Sequence, residues 1–380
     1  MQRELIADQV GVALEDAHRE LDRRAQAFVA TEVLPHERDE SDAFARRVTR
    51  RMGEAGLLDA CVALDVRGIC LLRERVAYGS GLADSMLALQ GLGFGPIALE
   101  GSSAQRGAWA ERVRAGEAIA AIAITEPEAG SDVGAIGTRA ERDGDGWVIT
   151  GKKCFITNAG LADLYTVFAR TADLGSRGLS AFIVPGEKVR LIERYELVAP
   201  HPCGEVAFDA IKVPADALIG AEGAGFKIAM STLDRFRSTV GAAALGLAAR
   251  ALDEAIGRAN ARQQFGQAIG TYQQVGAMLA DSWAELEAAR LLVYRAATAW
   301  DRREAGAGML ASAAKMLATE TAQRVIDRAV QIHGGLGVKK GSVVERLYRE
   351  VRALRIYEGT TEIQRVVLSR GLLAAKGRSG

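Results

Sequence analysis

The chain has 380 residues, 49% hydrophobic and 25% charged, a balance typical of a globular protein with two or three domains. Lysine and arginine number 48, as do aspartate and glutamate, so no net charge favours nucleic acid or an anionic membrane. The longest uncharged stretch, 85–99, is 15 residues long, too short to span a bilayer. The cysteines and histidines lack metal-site or disulfide spacing, and the first residues lack an export signal, so we expect a soluble, cytoplasmic protein without a metal.

Helical patterns dominate the sequence before residue 120. Residues 15–34 place apolar side chains at three- and four-residue spacing among charged ones, which is typical of an amphipathic helix. Residues 79–97 are also helix-prone and are rich in glycine. We therefore predict an N-terminal helical domain at residues 1–119.

The middle of the chain carries the signals of strands and turns. Five of the seven prolines lie between Pro127 and Pro214, and none follows. Two β-prone runs are joined by DGDG at 143–146, which predicts a hairpin. Further strands are predicted at 164–170, 179–186 and 205–214. These features indicate a domain built on an antiparallel β-sheet at residues 120–218.

Helical periodicity returns after Pro214 and continues to the end of the chain. Residues 225–262 combine apolar spacing with many glycines and alanines, which predicts a long buried helix. The same periodicity appears at 274–300 and 309–332. The sequence thus predicts an α+β protein that ends in a four-helix bundle at residues 219–380.

Two segments of the middle region have a composition suited to ligands. AITEPEAGSD, 123–132, exposes backbone N–H groups and hydroxyls after a strand, although an ordinary loop explains it equally well. CFITNAG, 154–160, places Phe155 and Thr157 on one face of a strand, because side chains alternate. An aromatic ring beside a hydroxyl suits a flat heteroaromatic ligand, but taken alone this segment is better explained as sheet core.

Two segments of the C-terminal region are similarly ambiguous. RQQFGQAIGTYQQ, 262–274, offers donor side chains near a turn, although a solvated connection between helices is the simpler interpretation. QIHGGLGV, 331–338, follows a helix with glycines that either permit close approach to a phosphate or serve as a helix C-cap. Neither segment identifies a ligand alone.

A last segment, LRIYEGTTEIQ at 354–364, places Glu358 just before a predicted helix. Thr361 and Gln364 fit a capping box, and an acid upstream of a helix N-terminus interacts favourably with its dipole. The alternative is that Glu358 is a base that removes a proton from a substrate. The residues of this segment alone leave both possibilities open.

Together, in this order and spacing, the five segments resemble the acyl-CoA dehydrogenase family of flavoproteins. TEPEAGSD and YEGTTEIQ look like the two signature segments of the family almost letter for letter. The resemblance extends from roughly residue 20 to residue 373 and is weakest before residue 100. It implies an acyl-CoA dehydrogenase-like fold and an oxidoreductase that acts on a CH–CH group in acyl-thioester metabolism.

The resemblance also implies FAD as the cofactor, between the sheet domain and the C-terminal helices. The positions that match its flavin contacts are Thr125, Ser131, Phe155, Ile156, Thr157, Thr360 and Glu362. The ADP half would be held across a subunit interface, by residues that match Arg262, Gln264, Phe265 and Gln273 of one chain and Gln331, Gly334 and Gly335 of another. This implies a homo-oligomer, usually a homotetramer.

Substrate contacts are implied in the same way. Asp234 and Arg237 match a pair that contacts acyl-CoA, although residues at this spacing also form routine surface pairs on helices. The other matching positions are Ser131, Tyr357 and Gly359. Glu358 matches the catalytic base, and we expect its surroundings near Tyr357 to be dry and apolar.

The implied reaction converts an acyl-CoA to a trans-2-enoyl-CoA. Glu358 takes a proton from Cα while hydride leaves Cβ for flavin N5. Some relatives carry the base on the long helix beside the arginine, but that position here is Phe236, which cannot ionise. An electron-transfer flavoprotein is the expected acceptor of the electrons.

Two departures from the family pattern keep alternatives open. His201 to Gly204 replace the usual Arg-x-Ser-x-Thr run, and ALDVRGICLL replaces the usual Glu-Tyr-Gly-Gly near residue 65. An acyl carrier protein-linked dehydrogenase or an acyl-CoA oxidase of a specialised biosynthetic pathway therefore remains an alternative. From another class, so does a non-catalytic scaffold subunit.

Overall fold

The structure, a computed structural model, describes residues 14–376 and divides them into two compact units. The helical unit comprises 14–37, 66–81 and 234–376, and the sheet unit comprises 38–65 and 82–233. The predicted order of helices, strands and helices is confirmed. The N-terminal helices are divided between the two units, and domain boundaries at 119/120 and 218/219 stay a prediction.

Six α-helices precede the first strand among the described residues. They are α1 (Asp16–Phe28), α2 (Asp42–Glu54), α3 (Asp59–Ala63), α4 (Val66–Gly79), α5 (Gly81–Glu100) and α6 (Ser103–Arg114). The segment predicted to be helical, 15–34, is formed by α1 and by a π-helix that continues it at Val29–Val33. Helix α5 is 20 residues long, and an 18-residue window of it has a mean hydropathy of 1.3, which is enough for a membrane span. However, 83% of this window is buried within the protein.

The sheet unit contains a mixed eight-stranded sheet. Its strands are β1 (Ala120–Ala123), β2 (Arg139–Asp143), β3 (Gly146–Thr157), β4 (Leu164–Arg170), β5 (Leu179–Pro185), β6 (Arg190–Arg194), β7 (Cys203–Val213) and β8 (Leu218–Ile219). The order is β6-β7-β3-β2-β4-β5-β8, with β1 beside β4. Pairing is antiparallel, as predicted, except that β1 and β2 each run parallel to β4. The predicted hairpin is the β2–β3 connection, whereas β6 and β8 were not predicted.

Helix α5 packs on the sheet and sets the start of β1. Phe94 and Ile97 of α5 belong to one apolar cluster with Leu164 and Phe168 of β4. Gln90, fully buried, donates to the carbonyls of Val113 and Ala118 at 3.1 and 2.9 Å and accepts from the N–H of Ala120 at 2.9 Å. These bonds fix the strand that leads into the loop at 124–132.

The helical unit is built on three long helices. They are α7 (Gly225–Ala261, whose first turns belong to the sheet unit), α8 (Gln273–Asp301) and α9 (Ala307–His333), followed by α10 (Val343–Leu354) and α11 (Thr361–Lys376). All three long helices were predicted. A hairpin of β9 (Gln263–Gln264) and β10 (Gln267–Ala268) between α7 and α8 was not predicted.

Small residues on α7 let it approach α4 closely. A Cβ added at Gly246 would collide with the carbonyl oxygen of Glu74 and lie 3.1 Å from the backbone nitrogen of Tyr78. Gly257, on the same helix, has nothing within 4 Å of such a Cβ.

We therefore expect opposite effects from alanine at the two glycines of α7. Gly246→Ala should lower the free energy of unfolding by about 1–3 kcal/mol, because backbone must move to admit the methyl group. Gly257→Ala should raise it by about 0.5–1 kcal/mol through helix propensity. Urea unfolding followed by circular dichroism measures both, and equal stability of the two variants would contradict the close approach of α4 and α7.

Candidate active site

Glu358 lies in a short loop of the helical unit, between α10 and α11. Its backbone is left-handed, with φ of +54°, and Gly359 follows with φ of +89°. A non-glycine residue in this conformation is strained, and such strain is commonly retained at functional sites. The side chain of Glu358 is half-buried, whereas Tyr357 is 38% exposed. The apolar, dry surroundings expected near Tyr357 stay a prediction.

Two buried side chains hold the backbone of this loop. The ammonium of Lys315 on α9 donates to the carbonyl of Tyr357 at 2.6 Å and to that of Gly359. The amide of Gln364 on α11 donates to the carbonyls of Gly359 and Glu358, at 2.8 and 3.3 Å. Lys315 is 1% exposed and Gln364 is fully buried. Three consecutive carbonyls thus accept hydrogen bonds from buried side chains.

Charged groups surround Lys315 inside the helical unit. Burial lowers the pKa of Lys315 to about 8 from its ordinary 10.5, although the carboxylate of Glu358 attracts the ammonium. The guanidinium of Arg237 lowers the pKa of Lys315 further, because the two cations repel. Lys315 therefore remains largely protonated at neutral pH at an electrostatic cost.

Asp234 and Arg237 form the predicted ion pair on α7, but it is not a routine surface pair. Arg237 is only 6% exposed and donates to the hydroxyl of Ser312 at 3.3 Å. Burial raises the pKa of Asp234 despite the nearby guanidinium. A buried guanidinium of this kind suits a polar or anionic group on a ligand.

The helix start near Glu358 differs from the predicted capping box. Thr360, not Thr361, caps α11, since its hydroxyl accepts from the N–H of Ile363 at 3.3 Å. The hydroxyl of Thr361 instead donates to Glu320 on α9 at 2.8 Å. Gln364 holds the loop carbonyls rather than closing a capping box.

In the sheet unit, the loop at 124–132 is anchored by a buried ion pair. The ammonium of Lys153, fully buried on β3, donates to Glu126 and to the carbonyl of Ile124, each at 2.8 Å. Glu126 also accepts the backbone N–H groups of Gly137 and Thr138 at 2.6 and 2.9 Å. Burial lowers the pKa of Lys153 to about 8. Although burial opposes it, Lys153 and these hydrogen bonds hold the pKa of Glu126 below its ordinary value.

Beyond Lys153, β3 presents the aromatic ring and hydroxyl that the sequence indicated. Phe155 is 62% exposed at a bulge against β7, with φ of +54°, and Thr157 is half-buried. Ile156 is 2% exposed, so it offers almost no surface to a ligand in this chain. The ring of Tyr195, which the sequence did not single out, lies 5.0 Å from that of Phe155.

Other predicted positions are accessible in their own units. In the sheet unit, Thr125 is half-buried and Ser131 exposed. In the helical unit, Thr360 is half-buried, and the exposed positions are Arg262, Gln264, Phe265, Gln273, Gln331, Gly334, Gly335 and Glu362. Gly334, with φ of +61°, is the C-cap of α9, so the interpretation of this glycine as a helix C-cap is confirmed.

The chemistry of these residues fits FAD. An exposed aromatic face with a neighbouring hydroxyl suits an isoalloxazine ring, and Arg262 with two glutamines supplies donors for phosphate and ribose. Neither Gly334 nor Gly335 has any atom within 4 Å of an added Cβ, which leaves their backbone open to a phosphate. The described residues contain no cluster of metal-ligating side chains.

Sequence reasoning missed the supporting roles of Lys315, Lys153 and Glu126, and it assigned Gln364 to a capping box instead. A lysine inside an apolar helical repeat, MLASAAKMLA at 309–318, was the available signal for Lys315. Lysines are rarely fully buried unless they are paired, so its position on the apolar face pointed to a specific partner.

Comparisons with known proteins identify the family of the chain. Three family descriptions match consecutive parts of the chain: "Acyl-CoA dehydrogenase, N-terminal domain" at 15–117, "middle domain" at 121–211 and "C-terminal domain" at 223–373. A "Probable acyl-CoA dehydrogenase" of Mycobacterium tuberculosis is 38% identical over 95% of this chain and 96% of that protein. "Caffeyl-CoA reductase-Etf complex subunit CarC" of Acetobacterium woodii is 37% identical over 93% and 96%.

Solved structures show the same fold. Butyryl-CoA dehydrogenase from Megasphaera elsdenii superposes with a TM-score of 0.90 at 31% identity, covering 95% of this chain and 99% of that one. A glutaryl-CoA dehydrogenase from Mycobacterium smegmatis in complex with FADH2 gives 0.87 at 26% identity, covering 94% and 95%. Family, fold and relatives agree over nearly the whole chain. Membership of this family implies FAD-dependent dehydrogenation of acyl-CoA. This chain therefore belongs to the acyl-CoA dehydrogenase family of oxidoreductases.

Proposed function

We propose that this protein dehydrogenates an acyl-CoA between Cα and Cβ, with Glu358 as the base that removes the Cα proton. The observation that carries the proposal is the Glu358 loop. The backbone of Glu358 is strained, and Lys315 and Gln364 hold the carbonyls of its neighbours, Tyr357 and Gly359. A base fixed in this way avoids the entropic cost of finding its orientation in each turnover.

We assign the contacts to FAD to the residues that match the flavin contacts of the family. Phe155, Thr157, Thr125 and Ser131 would hold the flavin ring, and the accessibility of these residues supports this role. FAD, when bound, supplies the acceptor for the hydride that leaves Cβ. The matching positions Thr360 and Glu362 would also contact the flavin.

The thioester is bound and polarised by groups of the helical unit. The backbone N–H of Glu358 donates to the thioester oxygen, which stabilises the negative charge that develops there. Gly359 leaves room beside the base, and the buried guanidinium of Arg237, paired with Asp234, contacts the acyl-CoA. Relatives that are named as acyl-CoA dehydrogenases support this substrate class over an acyl carrier protein.

The assembly is a homotetramer in which the ADP half of each FAD is shared between subunits. The exposure of seven positions in one chain supports this arrangement: Arg262, Gln264, Phe265, Gln273, Gln331, Gly334 and Gly335. Electrons then pass to an electron-transfer flavoprotein, as suggested by a relative that is named as a subunit of an Etf complex.

Anaerobic bleaching of the purified protein's flavin tests the reaction. Short, branched and cyclic acyl-CoAs, and the same acyl groups on an acyl carrier protein, are added one at a time. We expect at least one acyl-CoA to bleach the flavin and the reduced protein to reduce an electron-transfer flavoprotein faster than dioxygen. A colourless protein would contradict the proposal, and so would bleaching by carrier-protein thioesters alone.

A further inference from the structure

We propose that Lys315 is a positioning residue for Glu358, holding the carbonyls of Tyr357 and Gly359 on either side of the base so that its carboxylate keeps one direction. This inference rests on the proposed role of Glu358. Lys315 lies on α9, 42 and 44 residues before the two carbonyls that it binds. No local turn therefore imposes these contacts.

The three captured carbonyls determine the shape of the loop. The bond to Tyr357 orients the peptide group that enters Glu358, and the bond to Gly359 orients the one that leaves the glycine. Gln364 binds the carbonyl of Glu358 itself, which orients the peptide group between them. With all three peptide groups held, the left-handed backbone at Glu358 and Gly359 has little freedom to relax.

A charged group is an expensive way to hold a loop. The lowered pKa of Lys315 means that the attraction of Glu358 does not fully offset the desolvation of the ammonium. Gln364 binds two of the same carbonyls without a charge. What the ammonium adds is attraction for the carboxylate, in an environment where the other neighbouring charges are Glu362 and Arg237.

Stopped-flow reduction of the flavin separates positioning from a merely structural role. In single-turnover bleaching, the amplitude counts folded sites that carry FAD, whereas the rate constant reports alignment in those sites. Lys315→Met keeps the length of the side chain and removes its donors and charge. We expect its rate constant to fall about 10- to 100-fold, as for other small misplacements of a catalytic group, with unchanged amplitude per flavin. Deuterium at Cα should lower the rate constant of Lys315→Met by at least the factor by which it lowers that of wild type.

Thr319→Val is the matched control on the same helix. Thr319 is 1% exposed, and within residues 14–376 its hydroxyl binds carbonyls of its own helix alone, at Lys315 and Met316. We expect a wild-type rate constant. If Lys315→Met does not retain flavin, Lys315→Gln provides the same test. Because glutamine keeps an N–H donor, we expect a smaller decrease in its rate constant.

A second measurement needs no flavin. Hydrogen exchange of the peptide covering 355–361 should be faster in Lys315→Met than in wild type or Thr319→Val, with and without FAD. Wild-type rate constants and exchange in both Lys315 variants, with bleaching lost in Glu358→Gln, would overturn the positioning role alone. Retained bleaching in Glu358→Gln would overturn the proposed base, and the role of Lys315 with it.

Discussion

Glu358→Gln is expected to abolish the bleaching of bound flavin by acyl-CoA while the protein keeps its fold and its flavin. The amide has nearly the size and shape of the carboxylate but cannot accept the Cα proton. Loss of a positioned general base typically costs about 10²- to 10⁴-fold in rate. The rate constant of anaerobic bleaching, at saturating acyl-CoA, measures this loss directly.

Two further variants show whether basicity at this position is responsible. Glu358→Asp keeps a base but shortens its reach, so it should retain more activity than the amide. Glu304→Gln removes a carboxylate of the same unit that pairs with Arg295 at 2.7 Å, and it should react like wild type. Bleaching by Glu358→Gln at the wild-type rate would eliminate this residue as the base.

Among the substitutions proposed for this protein, Lys153→Met is expected to lower the free energy of unfolding most. Glu126 would keep its carboxylate in a buried site without the ammonium at 2.8 Å. Removing one partner of a buried ion pair costs about 3–5 kcal/mol, because an uncompensated charge remains. Thermal and urea unfolding measure the change, and the loop at 124–132 should lose its anchor and release flavin more readily.

The neighbouring lysine provides the control for this experiment. Lys152 is exposed on the same strand, so Lys152→Met should change stability by no more than about 0.5 kcal/mol. Adding Glu126→Gln to Lys153→Met should restore part of the loss, because the isolated carboxylate is then removed. If Lys153→Met and Lys152→Met unfold at the same midpoint, the ion pair does not stabilise the unit.

The same pair gives a pH dependence with a definite sign. The pKa of Lys153 is about 8 in the folded protein and near 10.5 when unfolded, so folding releases a proton between these values. Stability due to this group therefore rises with pH across that window, by up to about 1.4 kcal/mol per pH unit. The difference in unfolding free energy between wild type and Lys153→Met should widen from pH 8 towards pH 10.

The sequence determined the parts of this protein that depend on local patterns. Helical spacing predicted the three long helices, and the DGDG turn predicted the β2–β3 hairpin, because these patterns are set by residues within a few positions of each other. Five short segments in this order and spacing were enough for the family, since each carries its own loop chemistry. Glu358 was named from such a motif.

Only the tertiary structure decided how these loops are held. Lys315 and Tyr357 are 42 residues apart in the chain, and Lys153 and Glu126 are 27 apart, so no periodicity connects them. The burial of Arg237 likewise depends on packing rather than on its spacing from Asp234. A charged side chain is exposed by default, and it becomes a buried support only where distant carbonyls or carboxylates converge on it.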